Sequence, residues 1–269
     1  MIISSTERAT NYALLTIFAG LSILPLVGVL LAAITPPGEA PGFAVPVDGF
    51  ALDNFVRVFE RVDMWGALLT SLQMTGITVV LSTVASVLAG YAFGAMEFRG
   101  STALFYLMLV GLLMPFEATI IPLYYLMRSL GLTGTVWSVA LPSTGLSIAF
   151  GTFWMRAFFR SAPRPLMEAA RLDGASSWTV LTRILLPIGT PAVLTMVLLI
   201  FMWTWNDFLY SLVMGLRTAP RTLEQFQTQY LADITGIAAA AIVVALPVLL
   251  VYVVLQRHFI RGMLAGSLD

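Results

Sequence analysis

"EAARLDGASSWTVLTRILLP", residues 168–187, interrupts a chain that is otherwise almost all hydrocarbon. Glu168, Arg171, Asp173, Gly174, Ser176, Ser177 and Arg183 fall within it, and it closes on Pro187. The stretch reads as two short helices joined by a turn. Pro165 suits a first helical turn, where its missing N–H would be unpaired anyway. Leu166 to Leu172 supply about two turns. Asp173-Gly174 forms the turn, with Gly free to take positive φ. Ser176 or Ser177 can cap the next helix. There Trp178, Leu181 and Leu185 follow i, i+3, i+7 spacing and are expected on one face. Small residues (Ala169, Ala170, Gly174, Ala175) would let another surface approach the backbone. A helix resting on lipid headgroups is the plainer alternative.

The surroundings decide what such an insert sits in. Of 269 residues 59% are hydrophobic and 10% charged, whereas a soluble domain is about a quarter charged. Charge-free windows of about 20 residues mark membrane helices. Six are expected, at about 11–34, 68–95, 102–126, 137–158, 191–214 and 237–256, with the loop 159–190 carrying the insert, as one domain over 1–269. The first window is too long for a signal-peptide core and is read as retained.

Six spans place both termini on one side. That side would hold Arg8, Arg99, Arg156, Arg160, Arg164, Arg171, Arg183, Arg257 and Arg261; the other would hold Arg57, Arg61, Arg128, Arg217 and Arg221. The excess puts both termini in the cytoplasm. All fourteen cations are Arg, so no phosphate-binding G-x-x-x-x-G-K-[ST] loop and no Schiff-base lysine exist. No Cys and one His (His258) argue against a metal site, and zero net charge gives no sign of nucleic-acid binding.

The order E-A-A, three residues, G, nine residues, I-x-L-P is filled by Glu168, Ala169, Ala170, Gly174, Ile184, Leu186 and Pro187. It resembles the cytoplasmic EAA loop of ABC importer permeases. "MPFEATIIPLYYLMRSLGL" (114–132), "WNDFLYSLVM" (205–214), "RTLEQFQTQY" (221–230) and "QRHFIRGMLAGS" (256–267) are similar to segments of carbohydrate-type permeases, in particular the smaller six-span member of maltose-type pairs. The resemblance implies an all-α integral membrane protein of the type I ABC importer fold in the bacterial inner membrane. It implies a second permease subunit, a cytoplasmic ABC ATPase dimer that binds ATP and Mg, an extracytoplasmic sugar-binding protein and a sugar substrate. This chain would hold no cofactor and catalyse nothing itself. Its coupling helix would meet the ATPase through Leu166, Met167, Glu168, Ala169, Ala170, Leu172, Asp173 and Gly174, with Glu168 facing a basic group there. The tail from Arg257 could be a second ATPase contact or a simple positive-inside anchor.

Polar groups within spans usually face a cavity or a partner. Counted along straight helices, Glu117 and Asp207 lie about 24 Å from the cytoplasmic end, in the outer part of the membrane. Trp203, Trp205, Asn206 and Tyr210 cluster beside Asp207. Carboxylates and amides bind sugar hydroxyls and aromatic faces cover sugar C–H surfaces, so these six residues are candidates for a substrate path or outer gate. Interfacial anchoring of Trp and Tyr is the alternative. In the connection between spans five and six, Glu224, Gln225, Gln227, Gln229 and Tyr230 are candidate contacts to the binding protein, or else a hydrated connector. Gly90 and Gly94 offer a close helix contact. The rival readings are a self-sufficient secondary transporter, which needs a mid-membrane ion relay, and a membrane enzyme, for which His258 among Arg residues is a poor base.

Overall fold

The computed structural model describes residues 5–46, 49–113, 115–227 and 233–265, which are almost wholly helical. The helices are α1 (Ser5–Ile34), α2 (Asp53–Arg61), α3 (Met64–Ala95), α4 (Ser101–Leu113), α5 (Phe116–Ser129), α6 (Val136–Ser161), α7 (Arg164–Leu172), α8 (Ser177–Trp205), α9 (Leu209–Val213) and α10 (Ile234–Ala265). Five of them, α1, α3, α6, α8 and α10, are long and apolar enough to cross a membrane. A sixth crossing would be made by α4 and α5 together.

Two helices differ in kind, and not merely in their ends, from their sequence windows. The third window is broken near Pro115, and α4 and α5 are inclined by 98°. Pro115 disfavours a helical conformation in the residue before it and cannot donate into the preceding turn. The straight-helix depth given to Glu117 therefore does not apply: it stands in the first turn of α5, where a carboxylate favours the helix dipole. The fifth helix begins at Ser177, well before 191, and ends at Trp205, before Asp207. Arg183 and Pro187 hide this start from a search for charge-free windows. In an α-helix the Pro187 ring would clash with the Arg183 carbonyl. Val180–Leu185 instead forms a π-helical stretch, with the Leu186 N–H bonded to the Leu181 carbonyl. The expected common face does not form: Leu181 and Leu185 are buried, but Trp178, which precedes the π-helical stretch, is 64% exposed and does not join them.

The contacts divide the chain into two compact units. The first comprises Met1–Gly66 and Thr222–Leu246. In it the buried Asn54 donates from Nδ2 to the carbonyls of Ala33 (2.8 Å) and Thr35 (2.9 Å). These carbonyls at the end of α1 have no helical partner, and Asn54 satisfies them. Arg57 in turn donates to Asn54 Oδ1. Arg61 pairs with Asp233 at 2.7 Å and lies 5.2 Å from the Phe226 ring centre. Asp233 Oδ1 also accepts from the Gly236 N–H (2.9 Å), capping the start of α10.

The second unit comprises Ala67–Arg221 and Pro247–Asp269. Its organising feature is a stripe of small residues on α3: Ser71, Thr75, Thr78, Ser82 and Ser86 are all fully buried. Such residues let helix backbones approach closely, the usual way helices associate in lipid. The stripe continues through Gly90 and Gly94. A Cβ on Gly90 would stand 2.5 Å from Met155 Cβ, and one on Gly94 would stand 2.8 Å from Phe159 Cβ, so the pair makes the close contact with α6 that its spacing suggests. Where α3 ends, Arg156 Nε donates to the Phe93 carbonyl (3.2 Å) while its guanidinium lies 3.8 Å from the Phe105 ring centre.

Candidate functional site

The polar insert folds as helix, turn and helix. Arg164 and Pro165 open α7 after Pro163. At its far end Gly174 has φ +80°, its N–H bonds to the Arg171 carbonyl (3.0 Å), and the Ala175 N–H reaches back to the Ala170 carbonyl (2.9 Å). This 6→1 and 5→2 pairing is a Schellman termination, which needs a residue at ease with positive φ. No atom lies within 4 Å of a Cβ built on Gly174, so in this chain the glycine is required by backbone conformation alone. Ser176 is the cap of the next helix, its Oγ accepting from the Thr179 N–H at 3.2 Å.

The faces of α7 separate the residues named from the sequence. Met167 and Ala170 are half-buried and pack, with Ala175, against a core of Met155, Phe159, Val180, Leu181 and Leu185. Leu166, Glu168, Ala169, Leu172, Asp173 and Gly174 are exposed, and Leu172 is 89% exposed. Arg164, Met167, Glu168 and Arg171, at i, i+3, i+4 and i+7, line a cleft of about 460 Å³ with Gly94, Glu97, Phe159 and Arg160. Beyond the core, Trp154 Nε1 donates to the Ala192 carbonyl at 3.0 Å, tying α6 to α8.

The second set of candidates is split by the fold. Asp207 accepts from the Ser211 N–H (3.0 Å), the Ser211 hydroxyl (2.7 Å) and the Tyr210 N–H (3.4 Å), so its carboxylate caps α9. Tyr210 is fully buried, with its hydroxyl 2.8 Å from Thr119 Oγ1 on α5. Trp205 is fully buried and stacks on Phe201 with 5.7 Å between ring centres. Asn206 is exposed and donates to the Met202 carbonyl (2.8 Å), while Glu117 is exposed. Trp203 is 55% exposed and meets the edge of Phe150, 4.7 Å between centres. Only Trp203 and Asp207 of the six share a cavity of about 340 Å³, with Ser143, Ser147, Phe150 and Thr204. Sequence reasoning passed over Ser143 and Ser147, although two hydroxyls four apart in an apolar helix are a legible signal.

In the connection before α10, Pro220–Phe226 forms a 3₁₀ segment in which Glu224 is half-buried and Gln225 exposed; Gln227, just beyond it, is exposed. Gln229 and Tyr230 lie outside the described residues.

Comparison with known proteins gives this architecture a family. Residues 83–265 match the model for the binding-protein-dependent transport system inner membrane component. The chain is 31% identical to an arabinooligosaccharide transport system permease protein of Halalkalibacterium halodurans, over 93% of this chain and 92% of that protein. It is 32% identical to an osmoprotective compounds uptake permease protein of Synechocystis, over 98% and 95%. Among solved structures, a bacterial ABC transporter involved in import of the acidic polysaccharide alginate matches with TM-score 0.80 and 25% identity, covering 96% of this chain and 99% of that one. A chain with this motif, these helices and matches along nearly its whole length belongs to the family of inner membrane components of binding-protein-dependent transport systems.

Proposed function

We propose that the chain is a permease subunit of an ATP-driven sugar importer and that α7 is its coupling helix. One observation carries this. Ala169 and the nearly bare Leu172 are exposed on α7, while Met167 and Ala170 are packed against the start of α8. A partner gripping the exposed residues would move α7, the Gly174 turn and α8 together, because packing and the Schellman bonds join them. The insert faces the cytoplasm on this reading, in keeping with the Arg distribution. A separate ABC ATPase dimer holds ATP and Mg, and its closure draws two such helices together, one from this chain and one from a second permease. Alternating access follows if the ATPase contacts differ between the two states. An extracytoplasmic binding protein delivers the sugar, with Glu224, Gln225, Gln227, Gln229 and Tyr230 as its contacts. The permeases with sugar-named substrates among the relatives support the substrate class.

Within the membrane the proposed path runs past Trp203 in the cavity beside Ser143 and Ser147. Glu117, Trp205, Asn206, Asp207 and Tyr210 support the gate around it. The coupling role is tested by cross-linking, because the chain has no cysteine of its own. Ala169→Cys and Leu172→Cys should each be captured against the ATPase in intact cells and Met167→Cys should not. Failure to capture either exposed position would end the proposal.

A further inference from the structure

The cleft under α7 has Met167 and Glu168 of the coupling set in its lining, but its remaining charged groups, Glu97, Arg160, Arg164 and Arg171, have no part in the proposed coupling contact. It lies where α3, α6 and α7 converge at the ends of two membrane-crossing helices, with Gly94, Ala95, Phe159, Ala162 and Met167 as its apolar wall. Arg160, Arg164 and Arg171 line it together with Glu97 and Glu168. Yet no ion pair joins Arg160, Arg164 or Arg171 to Glu97 or Glu168, so no cleft carboxylate stands within 4.0 Å of these three guanidiniums. Arg160 lies one turn beyond Arg156 on α6, and like charges at that spacing repel. The cations and anions therefore line one cleft without neutralising each other.

We infer that this cleft holds the headgroup of a phospholipid carrying a primary ammonium, such as phosphatidylethanolamine. Its phosphate is met by Arg160 and Arg164 and its ammonium by Glu97. Basic pockets between membrane helices near the lipid surface are headgroup sites, and guanidinium suits a phosphate oxygen pair. Glu97 turns the selection from a purely anionic lipid to one with an ammonium that can donate. The membrane boundary supplies this lipid, and the apolar wall accommodates the first methylenes of its chains. The site requires only that the chain is membrane-embedded, so it stands apart from the coupling role.

The test is lipid retention by the purified full chain in native mass spectrometry, titrated with phosphatidylethanolamine, phosphatidylcholine or phosphatidylglycerol. Phosphatidylethanolamine should bind about tenfold more tightly than phosphatidylcholine, whose quaternary ammonium cannot donate a hydrogen bond to Glu97. The Arg160→Gln/Arg164→Gln pair should weaken it about thirtyfold, at about fivefold per cation. Arg160→Lys/Arg164→Lys should retain most of the binding, which separates lost charge from lost fold. Glu97→Gln should abolish the preference over phosphatidylglycerol. Equal retention of the three lipids, or binding unaffected by the Gln pair, would overturn the inference. Displacement by millimolar inorganic phosphate would identify a free-anion site instead. Loss of the lipid on adding the ATPase subunit would assign the cleft to a protein partner, and either result would overturn the lipid assignment. An ATPase that never associates would count against the proposed function and leave this site intact.

Discussion

The Ala175 N–H bonds to the Ala170 carbonyl at 2.9 Å, closing the end of α7 around Gly174 at φ +80°. The motif glycine thus has two separable properties, its backbone conformation and its lack of a side chain. Gly174→Ala disturbs only the first, at a cost of about 1–2 kcal/mol for a non-glycine residue in the left-handed region, because its Cβ meets nothing within 4 Å in this chain. Gly174→Arg adds bulk that only a docked partner would feel. The Ala variant should keep most uptake, and the Arg variant should insert normally but hydrolyse ATP without transport. Paired uptake and ATPase assays on the assembled transporter check both. Normal uptake by the Arg variant would count against close docking at this turn.

The α3–α6 contact gives a prediction about stability rather than transport. Gly90→Leu and Gly94→Leu would drive side chains into Met155 and Phe159, whose Cβ atoms stand 2.5 and 2.8 Å from the modest Cβ alone. Overpacking of this kind costs about 1–3 kcal/mol. Gly76 lies in the same helix with nothing within 4 Å of its Cβ, so Gly76→Ala should be neutral or stabilising by up to about 1 kcal/mol. Thermal unfolding of the detergent-purified chain orders the three variants. Unfolding of Gly90→Leu at the wild-type temperature would remove the close contact.

Legibility followed locality. Glu168, Ala169, Ala170 and Gly174 were readable because a helix, its glycine stop and the next cap lie within a dozen adjacent positions, each obeying short-range rules. Gly90 and Gly94 were readable because spacing alone places them on one face. The continuity of the helix from Ser177 with span five was not, since Arg183 and Pro187 argue against a continuous helix until a π-helical stretch absorbs the proline. Trp178, just before that stretch, is exposed, whereas Leu181 and Leu185 within it are buried. The cap that Asp207 makes was not legible either, because the short helix α9 cannot be seen in an apolar run. Asn54 gave no signal at all: the carbonyls it satisfies lie about twenty residues earlier in the chain.

Asp233 should matter more than its ion-pair partner. Arg61 and Asp233 are partly exposed, at 41% and 27%, so the pair itself is worth about 0.2–1 kcal/mol. Asp233 also accepts from the Gly236 N–H and the Thr235 hydroxyl at the start of α10, a cap worth about 1 kcal/mol more. Asp233→Ala should therefore destabilise about twice as much as Arg61→Ala, and the double variant should fall short of their sum. A double-mutant cycle on thermal unfolding measures both. Equal single effects would show that the cap contributes nothing.

The last prediction separates two neighbours in one cavity. Asp207 has its oxygens committed to Ser211 and Tyr210, while Trp203 presents a half-exposed ring to the same space. Asn caps a helix about as well as Asp, so Asp207→Asn should leave the sugar dependence of transport within about twofold. Asp207→Ala should lower stability by about 1 kcal/mol through loss of the α9 cap. Trp203→Ala removes an aromatic face worth about 0.5–1.5 kcal/mol to a packed ring, which corresponds to a rise of about two- to tenfold in half-saturating sugar. Sugar-stimulated ATP hydrolysis by the reconstituted transporter reads all three. If Asp207→Asn shifts the sugar dependence and Trp203→Ala does not, the carboxylate rather than the ring is the group that meets the substrate.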